Sequence, residues 1–149
     1  MAVPSFTHAL SFRHSIFSLF AAGFISVLVF HQGLATLWYL VGITPNAPFS
    51  VRPVPPFGVP QIWSVAFWAG IWGIVYGLVA GRFADGRKYW IYWIAAFAFG
   101  AIVPTLFDRL VIAPLRGLPA NWDLVALSRV MLINGVWGLG TATLLRWRR

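Results

Sequence analysis

Long uncharged, apolar runs constrain the fold of this chain more than any other feature. No Asp, Glu, Lys or Arg occurs from His14 to Ser50, and the apolar part, residues 15–40, exceeds the ~20 residues that a helix needs to cross ~30 Å of hydrocarbon. Because lipid cannot pair backbone polar groups, this run predicts a membrane-spanning helix. A signal peptide after Arg13 is the less favoured alternative, since the apolar character continues to Leu40.

Three further runs predict spans at 61–82, 89–110 and 124–145. The last contains Arg129, whose long side chain can reach the interface from near the outer helix end. The composition agrees with spans throughout, because 60% of the 149 residues are hydrophobic and only 9% are charged. We therefore predict an all-α, polytopic membrane protein with one transmembrane domain, residues 1–149, built as a four-helix bundle.

The distribution of basic residues predicts the orientation. Seven of them fall on the side of the termini and four on the other: Arg13, Arg82, Arg87, Lys88, Arg146, Arg148 and Arg149 against Arg52, Arg109, Arg116 and Arg129. The positive-inside rule then puts both termini in the cytoplasm. Because topology accounts for most of the net charge of +8, we expect the lipid bilayer and no nucleic acid as a partner.

The segment 45–60 contains six prolines, which excludes a regular helix and predicts an extended loop on the outer surface. Its apolar residues Phe49, Val54, Phe57 and Val59 indicate that it rests on the helix ends or dips into the membrane interface. A docking loop is the functional alternative.

Two pairs of motifs indicate an internal duplication. Gly70-Ile-Trp72-Gly73 is similar to Gly135-Val-Trp137-Gly138, and Phe30-His31-Gln32 lies at the end of its span as Phe107-Asp108-Arg109 does. Both pairs fit a duplicated helical hairpin with parallel repeats. A chance likeness is the alternative, because Trp and Gly are common in this chain.

Small residues recur every four positions in the second span, so they share one face and let another backbone approach closely. They resemble a glycine zipper: Ala69, Gly73, Gly77 and Gly81, with Gly138 on the fourth span. Contact within the bundle is the favoured interpretation, and association into a homo-oligomer or larger membrane complex is the alternative.

Polar residues near the hydrocarbon are costly and are therefore candidate site residues. They gather at the predicted outer ends of the spans: His31, Gln32, Asp108, Arg109, Arg129 and Asn134. A structural cap would pair Asp108 with Arg109 or Arg129, and Arg129 is favoured because sequence neighbours on a helix do not face each other. Asp123 would cap the fourth span. A functional site would be an outward-facing vestibule that binds a small anion or polar solute through Arg109 and Arg129.

The composition restricts the chemistry that this chain can perform. It has no Cys and only three Asp and Glu, so we expect no metal site, no catalytic residues and no enzymatic activity. His31 is the only candidate axial ligand for a haem or pigment, and a second ligand across the bundle is missing. We therefore expect no cofactor.

Four motifs carry a resemblance to a known group of proteins: Phe30-His31-Gln32, Pro56-Phe57-Gly58-Val59-Pro60, Phe67-Trp68-Ala69-Gly70-Ile71-Trp72-Gly73 and Asn134-Gly135-Val136-Trp137-Gly138-Leu139-Gly140. Through them the chain resembles short, uncharacterised bacterial inner-membrane proteins with four predicted spans. The resemblance implies a location in the bacterial inner (cytoplasmic) membrane. It implies no activity, and no role for His31 or Asn134.

Two functional hypotheses follow from these observations. The first is a non-catalytic accessory or scaffold subunit that packs through its small-residue faces into a homo-oligomer or larger membrane complex. The alternative is a small oligomeric transporter or channel, with the polar residues forming an outward-facing vestibule and Asn134 as the deepest contact.

Overall fold

The computed structural model describes residues 15–84, 89–115 and 117–147. Within them lie four helices that are long and apolar enough to cross a membrane. Their bounds are Ile16–Leu40 for α1, Gln61–Ala84 for α2, Tyr89–Phe107 continued to Leu115 for α3, and Leu124–Trp147 for α4. The predicted all-α four-helix bundle and the predicted spans are thereby confirmed.

Neither α1 nor α3 is a continuous α-helix. A π-helical turn, Val27–His31, separates the α-helical parts Ile16–Ser26 and Gln32–Leu40 of α1. In α3 a π turn, Asp108–Ile112, follows Tyr89–Phe107 and precedes the short segment Ala113–Leu115. Both π turns lie towards the end of the bundle where α1 and α3 finish and α2 and α4 begin, which we call the long-loop end.

Backbone contact between small residues holds α1 on α2. A Cβ atom added to Gly73 would lie 2.6 Å from the carbonyl oxygen of Leu19 and 2.9 Å from the Cα atom of Gly23. A Cβ atom added to Gly23 would contact the carbonyl oxygen of Ala69, and one added to Gly77 would contact the side chain of Leu19. The small-residue face of α2 therefore packs on α1, within the bundle. Gly81 lies in the last turn of α2, and its surroundings are outside the described residues.

The contact between α3 and α4 repeats that between α1 and α2. A Cβ atom on Gly100 would meet the carbonyl oxygen of Asn134 and lie 3.0 Å from the Cα atom of Gly138. Gly138 meets the carbonyl oxygen of Ala96 in return. Gly23 of α1 corresponds to Gly100 of α3, and Leu19 corresponds to Ala96. Both pairs are separated by the same number of residues, so the two hairpins make these contacts in the same register.

Aromatic rings extend this correspondence to both hairpins. The ring of Phe20 fills the space beside Gly70, and the ring of Phe97 fills the space beside Gly135. Gly70 and Gly135 are the first residues of the two similar motifs, so the two ring contacts lie at equivalent positions. The two hairpins thus make equivalent contacts at equivalent positions, as expected of two parallel repeats.

Buried hydrogen bonds and rings join the two hairpins. The indole Nε1 of Trp137 donates to the carbonyl oxygen of Gly23 at 2.9 Å, and the Ser26 hydroxyl donates to the carbonyl oxygen of Trp137 at 2.7 Å. On the other side, the rings of Tyr76 and Phe99 are 5.4 Å apart. Trp137 is 3% exposed, so its ring packs between the helices.

The proline-rich segment 45–60 contains no helix among its described residues. Its central part forms a short antiparallel pair of strands, β1 (Pro53–Val54) and β2 (Val59–Pro60). The segment is tied to the start of α2, because the Ile62 amide donates to the carbonyl oxygen of Ser50 at 2.9 Å. Phe57, at the tip, is 87% exposed and does not rest on the helices.

Replacing Gly138 with Ala tests the close backbone approach. The new methyl group would meet the Ala96 carbonyl oxygen, a backbone atom that cannot rotate away. We expect Gly138→Ala to lower the free energy of unfolding by about 1–3 kcal/mol, the usual cost of overpacking. Titration with SDS in mixed micelles, followed by circular dichroism, measures this change.

Gly33→Ala is the matched control, because nothing lies within 4 Å of the added Cβ atom. We expect this variant to be as stable as the original protein or slightly more stable, since alanine favours a helix over glycine by about 1 kcal/mol. Equal stabilities of the two variants would contradict the glycine contact.

Candidate functional site

A cavity of about 220 Å³ lies between the four helices towards the long-loop end. We call it the central cavity. His31, Asp108 and Asn134 bring polar groups to it from α1, α3 and α4. Aromatic side chains form much of the remaining wall: Trp68, Trp72, Phe107 and Trp137.

The two π turns bring His31 and Asp108 to the central cavity. His31 is the last residue of the first π turn, and Asp108 is the first residue of the second. The duplication places these two residues at equivalent positions. π turns inside α-helices are frequent at functional sites, because they change the direction of the side chains that follow.

Further equivalent positions line the central cavity. Val65 corresponds to Val130, Ala69 to Asn134 and Trp72 to Trp137, and all six side chains contribute to the wall. The cavity therefore lies between the two repeats. The two repeats differ in polarity at these positions. His31 of the first repeat corresponds to Asp108 of the second, and Ala69 corresponds to Asn134.

The hydrogen bonds of Asn134 and Trp137 determine what these residues offer to the cavity. The Asn134 Nδ2 donates to the hydroxyl of Thr105 at 2.9 Å, which leaves the amide oxygen of Asn134 as an acceptor. Trp137 donates its only N–H to the carbonyl oxygen of Gly23, so it offers the cavity its ring alone. The central cavity is therefore rich in acceptors and aromatic surface.

A larger space of about 600 Å³ lies at the long-loop end, between α1, segment 41–60 and the starts of α2 and α4. We call it the vestibule. Arg52 and Arg129 both line it, and no carboxylate does so among the described residues. Amide and hydroxyl groups complete the polar part of its wall: Gln32, Thr44, Asn46, Ser50 and Gln61. Two guanidinium groups without a carboxylate favour an anion.

His31, Val65 and Val130 line both the vestibule and the central cavity. The two spaces are therefore neighbours that share one layer of side chains. His31 is the only residue of this layer that can form hydrogen bonds through its side chain.

Gln32 connects His31 to the proline-rich segment. Its Oε1 accepts a hydrogen bond from the Phe49 amide at 2.8 Å, and its Nε2 lies 3.4 Å from Nδ1 of His31. Because an amide nitrogen only donates, this arrangement makes Nδ1 an acceptor and leaves the proton of a neutral imidazole on Nε2. The segment, Gln32 and the ring of His31 thus form one hydrogen-bonded chain.

The structure brings most of the predicted site residues together. His31, Asp108 and Asn134 share the central cavity, while Gln32 and Arg129 lie with His31 at the vestibule. Arg109 lines neither space. Arg52, which the sequence analysis treated only as a loop residue, lines the vestibule instead. Its signal in the sequence is that it is the only charged residue between His14 and Gly81.

Of the two predicted partners of Asp108, the favoured one, Arg129, is wrong, and the alternative, Arg109, is the one that the structure shows. Asp108 lies 3.9 Å from Nη1 of Arg109, its sequence neighbour. A π turn closes its hydrogen bonds between residues five apart, so consecutive side chains diverge less than in an α-helix. Arg129 lies at the vestibule, on the other side of the shared layer.

The predicted cap of α4 is confirmed. The carboxylate of Asp123 accepts a hydrogen bond from the Ala126 amide at 2.8 Å, one helical turn further on. This is the usual geometry of an N-cap residue, which satisfies an amide that has no partner within the helix.

The described residues contain no group of three His, Cys, Asp or Glu side chains that could hold a metal ion. His8 and His14 lie outside the described residues. The central cavity, at about 220 Å³, is smaller than the ~300 Å³ at the lower end of pockets for drug-sized ligands.

No protein-family model, curated protein or solved structure matches this chain. The resemblance to short four-span membrane proteins therefore stays a prediction, and the geometry of the two spaces carries the functional argument.

Replacing Gln32 with Leu tests the connection to the proline-rich segment. The Phe49 amide would lose its acceptor, and such a hydrogen bond contributes about 1 kcal/mol, or roughly fivefold in an equilibrium. We expect about that increase in the rate of amide exchange around Phe49, measured by hydrogen–deuterium exchange with mass spectrometry. Gln32→Glu keeps an acceptor and is expected to exchange more slowly than Gln32→Leu. Identical exchange in both variants would disprove the connection.

Proposed function

We propose that this protein binds a small oxyanion, a carboxylate or a phosphate, in the vestibule and that the vestibule faces the outside of the cell. The observation that carries the proposal is the pair Arg52 and Arg129 in a space whose described wall has no carboxylate. Guanidinium groups present forked donors that match carboxylate and phosphate geometry.

The neutral polar groups support the same ligand class. The amides of Asn46 and Gln61 lie in the vestibule wall with the two arginines and can donate to oxygen atoms that a single guanidinium does not reach. The proline-rich segment forms one side of the space, and Gln32 holds it there through the Phe49 amide. A ligand would therefore meet a wall that is ordered before binding, which lowers the entropic cost of binding.

Transport is an extension of this proposal. Large side chains fill the half of the bundle away from the vestibule, where Leu19, Tyr76, Tyr92 and Leu145 are all at most 4% exposed. A transporter would need a second conformation in which these side chains separate. The vestibule would then be its outward-facing site.

The accessory-subunit hypothesis stays a prediction. The small-residue faces on which it depended are occupied by α1 and α3 of the same chain. A partner helix would have to contact other surfaces, such as the exposed side chains of Leu78 and Ile94. Because lipid tails cover apolar side chains equally well, these residues do not indicate a partner.

Replacing Arg129 with Gln tests the proposed anion site. The variant removes one guanidinium from the vestibule and keeps a polar side chain. A hydrogen bond to a charged group contributes about 1.5 kcal/mol, so we expect roughly tenfold weaker binding of acetate and inorganic phosphate. Isothermal titration calorimetry measures the affinity for both anions. The protein is held in phosphatidylcholine nanodiscs, because this lipid has no net charge on its headgroup.

Arg146→Gln is the matched control, because Arg146 lies at the far end of α4 and the variant has the same net charge. We expect it to bind both anions as the original protein does. Equal affinities for Arg129→Gln and Arg146→Gln, or no saturable binding to the original protein, would refute the proposal.

A further inference from the structure

We infer that the central cavity is a second binding site, distinct from the vestibule, and that it takes an organic ammonium ion that carries N–H groups. The aromatic wall, the acceptors and the apolar groove beside this cavity each point to that ligand class.

Aromatic rings surround much of the cavity, and they pack as one unit. Phe107 lies between two tryptophans, with ring centroids 5.2 Å from Trp72 and 6.2 Å from Trp68. The ring of Trp137 completes the wall. Its N–H is already bonded to a backbone carbonyl, so only the ring is available to a ligand. Aromatic faces attract cations, and the attraction is about 2 kcal/mol or more when the cation is desolvated.

Two polar groups of the cavity can accept hydrogen bonds from a ligand that carries several N–H groups. Asp108 brings a carboxylate, and Asn134 brings an amide oxygen whose own nitrogen is used by Thr105. No Lys or Arg side chain lines this cavity among the described residues. An alkylammonium head can donate to both acceptors and place its positive charge beside the rings. An anion would instead be repelled by the Asp108 carboxylate.

Arg109 leaves the Asp108 carboxylate largely available. The nearest separation of the two charged groups is 3.9 Å, longer than a charge-assisted hydrogen bond of about 2.7–2.9 Å. The Asp108 side chain is 48% exposed, and an ionised carboxylate accepts about four hydrogen bonds. A bound ammonium group can therefore join Asp108 without displacing Arg109.

An apolar groove, lined by no arginine among the described residues, adjoins the central cavity. Ser64, Trp68 and Ile112 line both the central cavity and this groove of about 360 Å³. This groove lies between α2, α3 and the strands β1 and β2, and its remaining wall is apolar, including Val54, Pro56 and Leu115. An alkyl chain would lie in the groove with its ammonium head at Asp108.

The volumes restrict the size of the ligand. The cavity of about 220 Å³ is below the ~300 Å³ typical of pockets for drug-sized molecules, so it suits a small head group. The groove adds room for a short apolar chain. Butylammonium has a small ammonium head group and a short apolar chain, so it is a suitable probe.

The test is a saturation-transfer NMR titration of butylammonium with the full chain in phosphatidylcholine nanodiscs, with empty nanodiscs as the blank. We expect saturable binding that weakens at least tenfold in Asp108→Asn. Asp123→Asn, which has the same net charge and keeps a good N-cap residue, is expected to bind as the original protein does. Butanol, a neutral molecule of similar shape, is expected to show no saturable binding.

Three results would overturn the inference: no saturable binding of butylammonium, equal binding in Asp108→Asn and Asp123→Asn, or equal binding of butanol. If Asp108→Asn does not fold, the comparison of butylammonium with butanol on the original protein decides. Arg129→Gln is expected to bind butylammonium normally while losing affinity for acetate. A failure of this inference is therefore distinguishable from a failure of the anion site.

Discussion

Close approach of backbones at glycine is the constraint on which the rest of this bundle depends. Helices in lipid gain little from burying apolar side chains, so they associate through van der Waals packing and hydrogen bonds. Gly23 against Gly73 and Gly100 against Gly138 bring the two helices of each hairpin into contact along their backbones. The Trp137 indole and the Ser26 hydroxyl then join the two hairpins through buried hydrogen bonds to backbone carbonyl groups.

Tight packing at the glycines and open space at the long-loop end are two parts of one arrangement. Beyond the glycine contacts the helices diverge, and the π turns of α1 and α3 bring His31 and Asp108 into the space between them. Equivalent positions of the two repeats line this space, yet the residues there have diverged in charge. A duplicated scaffold thus presents an imidazole and a carboxylate from equivalent positions.

The proposed anion and ammonium sites have opposite charge and share the layer of His31, Val65 and Val130. His31 contacts both spaces, and Gln32 connects its ring to the proline-rich segment. A change in that segment can therefore reach the ring through two hydrogen bonds. The two sites differ in their surroundings as well, since one lies beside Arg52 and Arg129 and the other beside an apolar groove.

The sequence by itself determined the four spans, the N-cap at Asp123 and the alignment of the repeats, because these depend on run length, local spacing and local hydrogen bonds. It also predicted that His31 and Asp108 lie near the outer ends of their spans and that Asn134 lies deeper in the bundle. It did not predict the π turns or the place of Arg52 at the vestibule, and it favoured Arg129 over Arg109 as the partner of Asp108. Only the tertiary structure decided these, because the direction of a side chain depends on how neighbouring helices pack around it.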